Sequence, residues 1–145
     1  MTSTRSYVLV SVQFICLISI VLTGPLIVSS PWLLILEVMG VLIGLWAFQA
    51  MTMKNLHIFP EVHQKSFLVT RGPYRFIRHP MYTALLLSTS AMVLDAFSMI
   101  RGIVWVLLAI DLVAKLTFEE RLLVERFQEY RDYQRQTFRL FPFIY

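Results

Sequence analysis

Residues 72–82 read GPYRFIRHPMY, and an apolar run begins directly after them. A second apolar run ends about forty residues later at Glu119-Glu120-Arg121-Leu122-Leu123. The first string, with Arg78-His79-Pro80 at its centre, therefore opens one helix of membrane length, and the glutamate pair closes the next. If the two helices form a hairpin, both clusters meet at one membrane face, which is the candidate site.

Composition predicts a membrane protein. The chain has 145 residues, of which 57% are hydrophobic, and its mean hydropathy is +0.67. A soluble domain of this size cannot bury that much apolar surface in one core. We predict an all-α integral membrane bundle in a single domain, residues 1–145, with about four transmembrane helices and a C-terminal interfacial amphipathic helix. The expected spans are 7–28, 32–53, 81–96 and 102–118.

The amphipathic helix is expected in the tail that follows the fourth span. Apolar residues recur there at helical spacing, at Leu122, Leu123, Phe127 and Tyr130. This pattern favours a helix that lies along the membrane surface, and Phe141-Pro142 would end it.

Basic residues indicate the topology. Twelve of the 13 Lys and Arg residues lie in the N-terminal segment, in the 54–80 loop or from Lys115 onward, and the exception is Arg101. The positive-inside rule therefore predicts that both termini, the 54–80 loop and the 119–145 tail are cytoplasmic. This asymmetry accounts for the excess of Lys and Arg over Asp and Glu, and nucleic acid is not expected as a partner.

Two common kinds of site are not expected. The single cysteine, Cys16, cannot form an intrachain disulfide and is interpreted as a small packing residue. His57 and His63 lack metal-ligand spacing, so we predict no metal site.

The start of the third helix is a candidate anion site. Pro80 suits a first helical position and biases His79 away from helical geometry, so His79 is expected near the N-cap. Free amides of Met81 and Tyr82, together with Arg78, would then attract a carboxylate. The alternative is that Arg78 binds lipid phosphate and His79 only caps the helix.

The two glutamates are expected close to a helix C-terminus, where the helix dipole disfavours negative charge. A compensating partner is therefore needed. It could be a ligand amine, ribose hydroxyls or a sulfonium, or it could be Lys115 or Arg121. Asp111, Lys115 and Glu119 stand four apart on one helix face, and an Asp111–Lys115 pair is an open alternative to a ligand role for Lys115.

The two clusters at hairpin spacing, with Leu68-Val69 and Gly72-Pro73-Tyr74 upstream, resemble the isoprenylcysteine carboxyl methyltransferase and phospholipid methyltransferase superfamily of membrane enzymes. The resemblance covers residues 59–142. It implies transfer of a methyl group from S-adenosylmethionine, without a Rossmann fold, to a lipophilic acceptor that arrives from the bilayer. O-methylation of an isoprenylcysteine-like carboxylate is favoured over N-methylation, although a phospholipid or another amphiphile is also compatible.

The resemblance also implies the site residues. Those expected to bind the cofactor are Leu68, Val69, Tyr74, Arg78, His79, Pro80, Met81, Tyr82, Glu119 and Glu120. Lys115 stands where prenylcysteine enzymes usually have a substrate-binding arginine, and Arg139 is the next candidate for that role. Ala84 replaces a glycine that is frequent in relatives.

Two other functions remain open at this point. The string Arg78-His79-Pro80-x-Tyr82 is similar to one in NADPH-dependent sterol reductases, which are larger membrane enzymes. A non-enzymatic membrane protein could instead use the basic loop and tail to bind anionic lipid.

Overall fold

The computed structural model describes residues 4–51 and 68–142. Within these ranges the chain forms five α-helices and no strand: α1 (Thr4–Leu22), α2 (Pro31–Ala50), α3 (Pro80–Asp95), α4 (Met99–Arg126) and α5 (Tyr130–Gln136). A short 3-10 helix, Gly72–Arg75, precedes α3. The predicted all-α class is confirmed for this part of the chain.

Two helices are long and apolar enough to cross a membrane. They are α1, with 19 residues, and α2, with 20. Helix α1 begins and ends earlier than the predicted span of 7–28. It ends at Leu22 because Gly24-Pro25 follows it, and a residue before proline disfavours helical geometry. Helix α2 begins at Pro31, a residue suited to the first turn of a helix, and the last two residues of the predicted 32–53 lie outside the described ranges.

The fourth helix differs most from expectation. It begins at Met99 and runs 28 residues to Arg126, instead of covering 102–118. No glycine or proline occurs between residues 103 and 126, so nothing stops the helix at the glutamates. The expectation that Glu119 and Glu120 lie close to a helix C-terminus is therefore wrong, since they lie more than a turn inside α4.

The predicted amphipathic tail helix is also divided. Leu122 and Leu123 belong to α4, whereas Phe127 adopts extended geometry and ends that helix. Tyr130 then begins α5, a separate helix of seven residues. The apolar periodicity continued across this break, which is why the sequence read as one helix.

Helix pairing does not follow chain order. Helix α2 packs most closely on α3, and α1 packs mainly on α4, so α1 and α2 are consecutive in the chain without being a closely packed pair. Helix α3 contacts each of the other three long helices. Its first turn, which carries Pro80 and Tyr82, therefore begins at the centre of the bundle.

Small residues allow α2 and α3 to approach closely. A Cβ atom added at Gly40 would lie 2.9 Å from the backbone oxygen of Ala84 and 2.9 Å from the backbone nitrogen of Ser88. At Gly44 the corresponding contact is 3.3 Å, to the Cβ of Ala84. Glycine one turn apart on one helix and small residues on the other are typical of close helix packing in membranes.

Arg101 holds the bundle together at the end opposite the candidate site. Its buried guanidinium donates to the backbone oxygens of Ile20 (3.0 Å) and Met92 (2.7 Å), and to the hydroxyl of Thr23 (2.8 Å). It therefore links α4 to the C-terminal end of α1 and to α3.

Acidic side chains order the α1–α2 connection at that same end. Asp95 accepts hydrogen bonds from the amides of Ser29 (3.0 Å) and Ser30 (3.1 Å), directly before α2. Glu37, which is buried, accepts one from the amide of Val28 at 3.2 Å. The buried carboxylate of Glu37 thus has a hydrogen-bond donor.

Candidate active site

The first turn of α3 begins as predicted but leaves fewer free amides. Pro80 occupies the first helical position and His79 the N-cap, where the His79 side chain makes no capping hydrogen bond. The backbone oxygen of His79 accepts from the amides of Tyr82 (3.0 Å) and Thr83 (3.1 Å). The prediction of a free amide at Tyr82 is therefore wrong, because that amide is hydrogen-bonded to the backbone oxygen of His79 in a tight turn.

Side chains from this turn meet α4 at Glu119. The Tyr82 hydroxyl donates to Glu119 Oε1 at 2.5 Å. His79 stacks on the Tyr82 ring with parallel planes and a centroid distance of 5.4 Å, and its Nδ1 lies 3.4 Å from Glu119 Oε2. The two clusters of the sequence therefore meet at one end of the α3–α4 pair.

Glu120 is the fully paired member of the glutamate pair. Its Oε1 accepts from Arg78 Nε at 2.6 Å, and its Oε2 lies 3.1 Å from Arg139 Nε. Burial acts to raise the pKa of Glu120, but His79 and Arg78 outweigh it and hold that pKa at about 2. At neutral pH Glu120 is therefore ionised, and its carboxylate contacts Arg78 and Arg139 from two other segments of the chain.

Arg78 joins the site to the C-terminal tail. Its guanidinium donates to the backbone oxygens of Gln134, at 3.1 Å, and of Thr137. The Arg78 amide donates to the backbone oxygen of Phe138 at 2.8 Å, and the Phe138 amide donates to that of Phe76 at 3.0 Å. This backbone pairing of the tail with residues 76–78 fixes the guanidinium in place.

The two glutamates differ in access. The Glu119 side chain is 20% exposed and that of Glu120 only 4%. His79 lies between them, and its buried Nε2 has no hydrogen-bond partner among the described residues, since Glu120 Oε1 stands 3.5 Å away. Burial lowers the pKa of His79, but contacts with Glu119 and Glu120 outweigh it and leave the pKa raised. Glu119 and His79 are thus the members of the cluster that could form a further hydrogen bond, to a ligand.

The upstream residues form a second layer beside this cluster. Val69 and Tyr74 are buried against Ala47 and Ala50 of α2, and Met81 packs on the same group. Leu68 is half-buried. The Tyr133 hydroxyl donates to the backbone oxygen of Tyr74 at 2.5 Å, so the tail fixes this layer as well.

Lys115 lies deeper in the bundle. It is 3% exposed, and its Nζ donates to Gln13 Oε1 of α1 at 2.8 Å. The ammonium also stands 5.5 Å from the centroid of the Tyr82 ring. None of the ion pairs among the described residues joins Asp111 to Lys115, so the alternative of an Asp111–Lys115 pair is not seen.

Most predicted site residues are brought together. One connected cluster contains Arg78, His79, Tyr82, Lys115, Glu119, Glu120 and Arg139. The sequence interpretation missed Gln13, Gln134 and Thr137. The last two contribute backbone oxygens, which have no sequence signature, and also side chains: Thr137 Oγ1 accepts from Arg78 at 3.2 Å, and Gln134 Nε2 donates to Glu120 Oε2 at 3.4 Å. A lone amide in an apolar helix was a usable signal for Gln13.

The described residues contain no group of three or more His, Cys, Asp or Glu side chains that could hold a metal ion. His57 and His63, considered above, lie outside these ranges.

Comparison with known families agrees with the resemblance in the sequence. The model of the phospholipid methyltransferase family matches residues 30–130, which is more than half of the chain. The match includes α2, α3, α4 and both glutamates, and it leaves out all of α1 and the tail from Arg131. No curated protein matches the chain. On the extent of this match, the chain belongs to the phospholipid methyltransferase family, whose members transfer methyl groups to lipid-type substrates.

Proposed function

We propose that this chain transfers a methyl group from S-adenosylmethionine to a lipophilic acceptor at the cytoplasmic membrane face. The observation that carries the proposal is a cluster at one end of the α3–α4 pair in a chain that belongs to the family. The cluster consists of Arg78, His79, Tyr82, Glu119 and Glu120. The family is generally dependent on this cofactor.

The cluster has the donors and acceptors that such a cofactor needs. Glu119, the more exposed carboxylate, is suited to a ligand amine or to ribose hydroxyls. The Nε2 of His79, which has no hydrogen-bond partner among the described residues, is a donor on the side of the ring that faces Glu120. Burial raises the pKa of Tyr74, which keeps its phenol protonated as a further donor. Leu68, Val69 and Met81 would contribute apolar or backbone contacts.

Arg78 and Glu120 have a different role in this proposal. Their charges are already matched to each other and to the tail, so they hold the cofactor residues in position rather than binding the ligand directly. Pro80 fixes the turn from which His79 and Tyr82 project.

The sulfonium supplies an activated methyl group, so the chain needs to align the acceptor and exclude water more than to exchange protons. Lys115, behind Tyr82, is placed to attract an acidic group on the acceptor, and Arg139, whose Nε lies 3.1 Å from Glu120 Oε2, is the second candidate for that role. A prenylcysteine carboxylate and the phosphate of a phospholipid share this acidic character. O-methylation would need no deprotonation, whereas an amine must first lose a proton.

Binding to the detergent-purified protein tests the proposal. Calorimetry should detect S-adenosylmethionine and its demethylated product. Glu119→Gln and His79→Ala should each weaken cofactor affinity about ten-fold or more, since a hydrogen bond to a charged group contributes about 1.5–3 kcal/mol. Glu125→Gln is the matched control, because Glu125 is an exposed glutamate on the same helix.

Two results would contradict the proposal. Binding of NADPH without any binding of S-adenosylmethionine would favour a reductase. Unchanged cofactor affinity in both variants would place the cofactor elsewhere on the protein.

A further inference from the structure

Helix α1 places one long polar side chain inside the bundle. Beyond residue 7 the helix is apolar apart from small hydroxyl groups, Cys16 and Gln13, and Gln13 is only 8% exposed. Gln13 lies nine residues after the start of α1, about 14 Å along its axis. An amide buried at that depth is unfavourable unless it is hydrogen-bonded. Gln13 also lies outside the segment matched by the family model.

The partner of Gln13 is the charged end of Lys115. The amide Oε1 accepts from Nζ at 2.8 Å. An ammonium group has three N–H donors. Among the described residues, Gln13 is the only hydrogen-bond acceptor of Lys115, and none of the ion pairs includes this lysine. Two donors therefore remain for another group.

The ammonium is held beside the site. It stands 5.5 Å from the Tyr82 ring, whose hydroxyl donates to Glu119. Lys115 precedes Glu119 by four residues on α4, about 6 Å further from the cytoplasmic end of the helix. The Lys115 charge therefore lies behind Tyr82, on the side of the cluster that faces the bundle interior.

We propose that Gln13 is a positioning residue for the methyl acceptor: it holds Lys115 so that the two remaining N–H groups face an acidic group, a carboxylate or a phosphate, on the acceptor. This inference rests on the proposed function. Helix α1 would then set the preference for acidic acceptors, while α3 and α4 bind the cofactor.

The chemistry of the glutamine side chain fits this role. Its neutral oxygen fixes the direction of the ammonium without adding a further negative charge to those of Glu119 and Asp111, which already act on Lys115. A glutamate at this position would neutralise Lys115 and compete with an acidic acceptor. A leucine would leave the ammonium without a partner inside the bundle.

Steady-state kinetics of the full chain in detergent test the inference, with labelled S-adenosylmethionine and two acceptors, phosphatidylethanolamine and a farnesylated cysteine. For the acceptor that wild-type protein methylates, Gln13→Leu and Gln13→Glu should each raise the KM about ten-fold or more. The kcat at saturating acceptor and the Kd for S-adenosylmethionine should stay within about two-fold. Ser19→Ala is the control, since the Ser19 hydroxyl bonds only to Ile15 of its own helix.

Each outcome decides the question. If Gln13→Leu does not fold, Gln13→Glu still does the test, because it keeps an oxygen acceptor for Lys115. An unchanged acceptor KM in Gln13→Glu, or a fall in kcat without a change in KM, overturns the inference while the proposed function stands. If wild-type protein neither binds S-adenosylmethionine nor methylates either acceptor, the proposed function fails and the inference fails with it.

Discussion

At the scale of single residues, His79 connects the most features of the site. Its ring is stacked on Tyr82 and lies between two carboxylates, 3.4 Å from Glu119 and 3.5 Å from Glu120. The position of Pro80 allowed the sequence to place His79 before the helix. The sequence did not show that the ring would be buried between both glutamates, because their approach depends on the pairing of α3 with α4.

The raised pKa of His79 predicts a pH dependence. A group whose pKa is raised on folding stabilises the protein below its unfolded pKa of about 6.5, and that contribution is lost as the pH rises through the folded value. The thermal midpoint of wild-type protein should therefore exceed that of His79→Gln most at about pH 6. The difference should shrink as the pH is raised toward 9, as followed by thermal denaturation in detergent.

The stabilising contribution of Glu120 changes in a different pH range from that of His79. Its pKa of about 2 means that its stabilising contribution is present above about pH 4.5 and is lost only in stronger acid. The pH range from 6 to 9 thus reports on His79 and not on Glu120. A difference in thermal midpoint between wild type and His79→Gln that grows as the pH rises would contradict the raised pKa of His79.

At the scale of helices, the sequence predicted the elements better than their partners. Apolar runs marked all four long helices, and Gly-Pro or Pro signals marked a boundary of α1, α2 and α3. Nothing in the periodicity of α1 indicates whether it faces α2 or α4, because an apolar helix inside a lipid environment has no clear polar face. The extension of α4 to Arg126 was missed for a related reason, since the two glutamates looked like an ending.

The contact between α2 and α3 should be sensitive to the size of the side chain at position 40. Gly40→Ala would place a methyl group 2.9 Å from backbone atoms of Ala84 and Ser88, which cannot move independently of α3. We expect a loss of about 1–3 kcal/mol in stability, typical of overpacking, seen as a lower thermal midpoint. Gly44→Ala is the matched control, since its closest contact would be 3.3 Å. Equal effects of the two changes would argue against this close packing.

At the scale of the whole molecule, the proposed topology has four spans with both termini cytoplasmic. Helix α3, with 16 residues, is about 24 Å long, so local thinning of the bilayer must help it span. Helix α4 is about 42 Å long and exceeds a hydrocarbon core of about 30 Å. Its last turns would therefore project into the cytoplasm.

Cysteine labelling in a Cys16→Ser background tests this topology. A reagent that cannot cross the membrane should label Leu26→Cys and Phe97→Cys, both exposed positions in the turns opposite the site, from the outside. It should label His63→Cys only after the membrane is opened. Labelling of His63→Cys from the outside would contradict the predicted topology. The site would then lie on the outer membrane face, away from the cytoplasmic supply of cofactor.

The pairing of the tail with residues 76–78 has a consequence for the order of biosynthesis. Residues 134–139 are translated after all four long helices, yet their backbone oxygens and Arg139 complete the surroundings of Arg78 and Glu120. A nascent chain that has released α4 but not α5 lacks these partners of Arg78 and Glu120. In the proposed function, insertion of the helices into the membrane would therefore come before the chain could bind its ligand.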